Sequence, residues 1–68
     1  MKTEFHRIKL SKSYGHYIII GQVNGQEIET TTTNADLFDS YNSDESPYYS
    51  EIELKEICEE LLELEVSN

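Results

Sequence analysis

The dipeptide Asn24-Gly25 constrains this chain more than any other feature. Both residue types tolerate positive φ, which the two-residue type I′ turn of a β-hairpin demands. The flanking segments are His16–Val23, aromatic and β-branched, and Gln26–Thr33, polar but threonine-rich. Both compositions suit strands. A two-residue turn also fixes the register. Val23 pairs with Gln26, so Ile19 faces Thr30, Tyr17 faces Thr32 and Gly21 faces Ile28. Side chains alternate along a strand, so all of these share one face with Val23. We take the side bearing Tyr17, Ile19, Val23 and Ile28 as the core side. The other side carries Ile18 and Ile20 beside Glu27 and Glu29. Those two isoleucines need a cover: side chains of another strand, a helix end or a partner.

Thr3–Leu10 alternates in part. His6, Ile8 and Leu10 fall on one side, and Phe5, Arg7 and Lys9 on the other. This is a further expected strand, joined to the hairpin by Ser11–Gly15, where Gly15 is free to take positive φ. Thr33, with Asp36 three residues on, suits a capping box for a short helix whose apolar face is Leu37, Phe38 and Tyr41. Residues 42–47 break the chain. Leu54, Ile57, Cys58, Leu61 and Leu62 then recur at helical spacing, with Glu51, Glu53, Glu56, Glu59, Glu60 and Glu63 outside. Ser50-x-x-Glu53 is a capping box for this helix, and Ser46-Pro47 is a rival start one turn earlier. The expected fold is α+β: a three-stranded antiparallel meander in the order 1-2-3, with a short and a long helix packed on one face (β-β-β-α-α). The long helix is needed, since a lone hairpin is marginal in water.

Residues 1–68 fit one small domain. A domain of about 60 residues buries only roughly 60 % of its unfolded surface, so the core is thin. Little room remains for an internal cavity of the usual ~300–1,000 Å³. The single cysteine, Cys58, excludes an intramolecular disulfide and any multi-cysteine zinc site. The longest apolar run, Ile18–Ile20, falls far short of the ~18–20 residues of a membrane helix. Met1-Lys2-Thr3 leads into Glu4 and His6 and not into an apolar signal core, so the expected address is the cytoplasm.

The net charge of −9 is unevenly spread. Residues 1–33 sum to +1, residues 34–50 to −4 and residues 51–68 to −6. The acidic helix has two readings. One is a solvated face that confers solubility. The other is a surface for a basic partner, extending to mimicry of nucleic-acid phosphates by an inhibitor encoded on a phage or mobile element. Lys2, Arg7, Lys9 or Lys12 would offset part of the repulsion if the first strand lay near the helix. Direct binding of DNA or RNA is disfavoured, because phosphate affinity rests on clustered Lys and Arg. Tyr48-Tyr49 is a pair of a type enriched at interfaces, or else one ring closes the core and the other covers the helix start.

Catalytic and metal patterns are weak. Counting from Asn42 places Asp44, Ser46, Ser50 and Glu53 at calcium-loop spacing, but Asn42 stands where Asp is usual and Pro47 where glycine is needed. His6 and His16, on neighbouring strands, make a poor metal pair without a placed carboxylate. Cys58 falls on the apolar stripe, and its neighbours Glu59 and Glu60 raise a thiol pKa, which suits a core residue and not a nucleophile. No Ser-His-Asp order, phosphate loop or dinucleotide fingerprint is present. No enzyme, cofactor or metal site is therefore expected.

The run Glu27-Ile28-Glu29-Thr30-Thr31-Thr32-Thr33-Asn34, then Asp36 and Tyr41-Asn42-Ser43-Asp44-Glu45, resembles small uncharacterised proteins of gut Bacteroidales and their mobile elements. The resemblance covers about residues 15–45. It implies the same fold and carries no activity to transfer. The expectation is a non-enzymatic interaction module. Its candidate surface is Tyr48, Tyr49, Glu56, Glu59, Glu60 and Glu63, and its partner is a basic protein surface or a second copy. A homodimer would use Ile18 and Ile20.

Overall fold

Asn24 and Gly25 both adopt positive φ, 53° and 83°, and the hairpin follows from them. A computed structural model describes residues 2–43 and 48–67 of the chain. Strand β1 is Thr3–Leu10, β2 is Tyr17–Val23 and β3 is Gln26–Thr32; helix α1 is Ala35–Asn42 and α2 is Glu51–Ser67. The strands form one antiparallel sheet in the order β1-β2-β3. The fold is therefore the α+β arrangement expected. The β2–β3 register runs from Val23 opposite Gln26 to Tyr17 opposite Thr32, as the turn requires. The turn also anchors β1, because the Asn24 amide donates to the Lys2 carbonyl at 2.7 Å and the Lys2 amide donates to Asn24 Oδ1 at 3.0 Å.

β1 departs from simple alternation. Phe5 lies opposite Gly21 and Arg7 opposite Ile20, so His6 is the extra residue of a bulge. The bulge resets the phase. Phe5 and Ile8 both reach the core side, and the expectation that Phe5 shares a face with Arg7 is corrected. The gain is apolar burial from two positions that strict alternation would send to opposite faces.

The core is Ile8, Ile19, Val23, Leu37, Leu54, Cys58 and Leu62, with Phe5, Tyr17, Ile28, Phe38, Tyr49, Ile57 and Leu61 packed around it. The core side of the hairpin and the apolar stripe of α2 are thus as the sequence implied. Ile20 lies outside this cluster yet is only 4 % exposed. Arg7 and Glu29 flank it in register on either side. Long charged side chains cover apolar neighbours with their stems, so Ile20 needs no partner to be buried.

α1 starts one residue later than the sequence suggested. Asn34, not Thr33, is the cap: its Oδ1 accepts the Asp36 amide at 3.0 Å, while its own amide donates to Thr32 Oγ1 at 3.1 Å. Leu37 is buried, Phe38 stacks on Tyr17 with centroids 4.8 Å apart, and Tyr41 meets Phe5 edge-on at 5.8 Å. Ser40 is also buried, because its Oγ accepts the Tyr49 amide at 3.2 Å and so closes the chain onto α1.

Candidate interaction surface

α2 opens with the expected reciprocal cap. The Glu53 amide donates to Ser50 Oγ at 3.2 Å, and the Ser50 amide donates to Glu53 Oε1 at 3.3 Å. The rival Ser46-Pro47 start lies outside the described residues. Leu54, Cys58 and Leu62, spaced by one turn, point into the sheet and leave the other faces of the helix outward.

On those faces Glu53, Glu56 and Glu60 are exposed, while Glu59 and Glu63 are half-buried; Glu51 and Glu65, in line with Cys58, are exposed at the two ends of the helix. Glu63 is engaged within the chain, as its Oε2 accepts Thr3 Oγ1 at 2.6 Å. The last turn of α2 holds no basic residue, although cations are favoured at a helix C-terminus. Apolar side chains stand among the acids: Ile52 is 71 % exposed, Leu64 53 % and Val66 44 %. The sequence reading missed these three. Their signal was present, since each lies off the 54-58-62 stripe.

The two tyrosines part company. Tyr48 is exposed. Tyr49 packs against the core, and its hydroxyl accepts from Asn34 Nδ2 at 3.3 Å. Tyr49 is therefore a closing residue of the core, and of the pair only Tyr48 belongs to the outer surface.

The cations of β1 do not reach α2. Arg7 and Lys9 pair in register with Ile20 and Ile18 on the sheet face opposite the helices. Among the described residues the only ion pair is His6 Nε2 to Glu4 Oε2, at 3.7 Å, and it lies within β1. For Arg7 and Lys9 the expectation that first-strand cations offset the charge of the helix is corrected by this geometry. The alternation that sends Ile8 inward sends Arg7 and Lys9 away.

Other chemistry is sparse. Among the described residues no three His, Cys, Asp or Glu side chains gather as metal ligands. His6 and His16 are exposed and far apart along the sheet, at the bulge and before β2. Asp44, Ser46 and Pro47 of the calcium-loop count lie outside the described residues, and the Glu53 carboxylate serves the helix cap. A concavity of about 100 Å³ is lined by Lys2, Glu4, Gln22 and Gly25. An open one of about 330 Å³ is formed by the connection between β1 and β2. No hydrogen bond joins the His16 ring to Ser11 or Ser13 among the described residues. Among the described residues no helix is long and apolar enough to cross a membrane.

Cys58 is fully buried, and burial, aided by the charge of Glu59, pushes its thiol from 9.0 up to about 12. Between those two values the unfolded chain loses the thiol proton and the folded chain keeps it, so stability falls as pH rises through that window. Below it the contribution is fully present. Cys58→Ala is expected to flatten the alkaline decline in urea midpoint, and thiol reagents near neutral pH are expected to react only as fast as the chain opens. Rapid labelling of the native protein would contradict this burial.

Set against family models, curated proteins and solved structures, the chain matches none of them.

Proposed function

We propose that this chain is a non-enzymatic, cytoplasmic protein-interaction module that offers the outer face of α2 to a basic protein surface. The observation that carries the reading is the separation of charge across the sheet. Glu56 and Glu60 are exposed on a helix that makes no ion pair among the described residues, while Arg7 and Lys9 lie on the far side of the sheet. Exposed Ile52, Leu64, Val66 and Tyr48 supply the apolar contacts that a purely solvating face would lack. Acids steer a cationic partner and set its salt dependence, and the apolar residues hold it once docked.

The test is capture by the tagged chain at low and high salt, beside Glu56→Lys/Glu60→Lys. A partner is expected at low salt only, with recovery reduced by about tenfold or more in the charge-reversed chain. Equal recovery by the variant would remove α2 as the surface. Competition by double-stranded DNA for the same partner would reassign the module as a nucleic-acid mimic.

A further inference from the structure

The two edges of the sheet are built differently. β1 is interrupted by the bulge at His6 and carries Arg7 and Lys9, devices that discourage strand pairing at an edge. β3 has neither a bulge nor a cation, and the charges it carries are Glu27 and Glu29. It pairs with β2 from Gln26 to Thr32 without a register shift and contains neither Pro nor Lys. Among the described residues no backbone hydrogen bond outside the sheet ladder involves it.

The hairpin tells which groups are free. Residues flanking a two-residue turn exchange both hydrogen bonds, and bonded and non-bonded pairs then alternate. Gln26, Ile28, Thr30 and Thr32 therefore bond to β2. The N–H and C=O groups of Glu27, Glu29 and Thr31 point outward. The side chains of those three are exposed on the open face of the sheet, and Ile28 and Thr30, half-buried, lie on the helix side.

We propose that the outer edge of β3 is a strand-addition site for an extended basic segment of a partner protein. The segment's backbone pairs with Glu27, Glu29 and Thr31. Its Lys or Arg residues, at every second position, lie opposite Glu27 and Glu29, and the residue between them meets Ile28. Backbone pairing supplies affinity in this mode, and alternate side chains supply specificity. Opposite charges facing each other across strands stabilise the pair, and like charges oppose it. A second copy would bring its own Glu27, Glu29 and net charge of −9 to the same edge, so charge selects a basic segment over self-pairing. This site is separate from the α2 surface and does not rest on it.

The probe is a capped peptide of alternating Lys and Val, titrated into the ¹⁵N-labelled chain at low salt. The amides of Glu27, Glu29 and Thr31 are expected to shift and to exchange with solvent about tenfold more slowly or less. The ladder amides of Ile28 and Thr30 should change little. Thr31→Pro removes one outward N–H and leaves both the charge and the β2 ladder intact, and should weaken binding by about tenfold. Glu27→Gln/Glu29→Gln, which introduces no proline, should weaken it similarly and flatten its salt dependence. Shifts confined to α2 would overturn this site and leave the α2 reading standing. Binding unchanged in both variants would overturn it, as would protection of the three amides that grows with protein concentration alone, which would assign the edge to a second copy.

Discussion

Replacing Gly21 by valine is expected to leave the chain without a cooperative unfolding transition. Gly21 sits in the middle of β2, between Phe5 and Ile28, on the face that receives α2. A Cβ there would overlap the Glu4 carbonyl oxygen and stand 2.5 Å from Leu62 Cδ1. Leu62 can turn aside in part, but the Glu4 carbonyl belongs to the backbone of β1, next to the bulge. Relieving that contact means moving one strand against another. Overpacking costs about 1–3 kcal/mol even where only side chains must yield. Total stability at about 0.05–0.15 kcal/mol per residue leaves a chain this short only several kcal/mol to lose. The milder Gly21→Ala should lower the thermal midpoint by on the order of 10 °C or more. Circular dichroism melts check both. A midpoint unchanged in Gly21→Ala would mean that neither the β1 backbone at Glu4 nor Leu62 of α2 crowds this position.

Leu62→Ala should be nearly as damaging, by the opposite route. Leu62 is 0 % exposed and belongs to the central cluster with Ile19, Leu37 and Cys58. Its truncation loses transfer energy and opens a cavity, together worth about 3–4 kcal/mol for a leucine so placed. Urea unfolding reads this directly, and Leu64→Ala is the control. Leu64 is 53 % exposed, so its truncation should stay within about 0.5 kcal/mol. The double variant Gly21→Ala/Leu62→Ala should cost less than the two single losses added, because truncating Leu62 frees the space that the new methyl needs. The overlap with the Glu4 carbonyl remains, so the recovery should be partial.

Much of this architecture is legible in local sequence because local chemistry decides it. Asn24-Gly25 dictates the turn, the turn dictates the register, and the register places Ile19 and Val23 on the side that α2 covers. Ser50 and Glu53 mark the helix start because each satisfies a backbone amide of the other. The illegible parts are those settled by distant contacts. Nothing in Thr3–Leu10 marks His6 as a bulge. It is the pairing with β2 and the value of burying both Phe5 and Ile8 that insert it. Thr33 and Asn34 are both competent caps, and Thr32 decides between them by accepting the Asn34 amide. Tyr48 and Tyr49 are identical as residue types. They separate only because Ser40 and Asn34 hold one of them against α1.

The candidate surface was half legible. Glu56 and Glu60 face outward as helical spacing requires, and Glu63 is drawn into a bond with Thr3 that spans most of the chain. Reading the helix as an apolar stripe backed by glutamates passed over Ile52, Leu64 and Val66, which stand exposed among the acids.

The central claim is that no cation among the described residues neutralises the acidic charge of α2, as the proposed docking of a basic partner requires. Thermal unfolding of the isolated chain tests it most directly when salt is raised from about 0.01 M to 0.5 M, which shortens the screening length from ~30 Å to a few Å. If the helix carboxylates face only one another and water, screening relieves their repulsion, and the melting temperature rises with salt. A melting temperature that falls with salt would show that attractive ion pairs inside the chain hold the helix down, and would contradict the account.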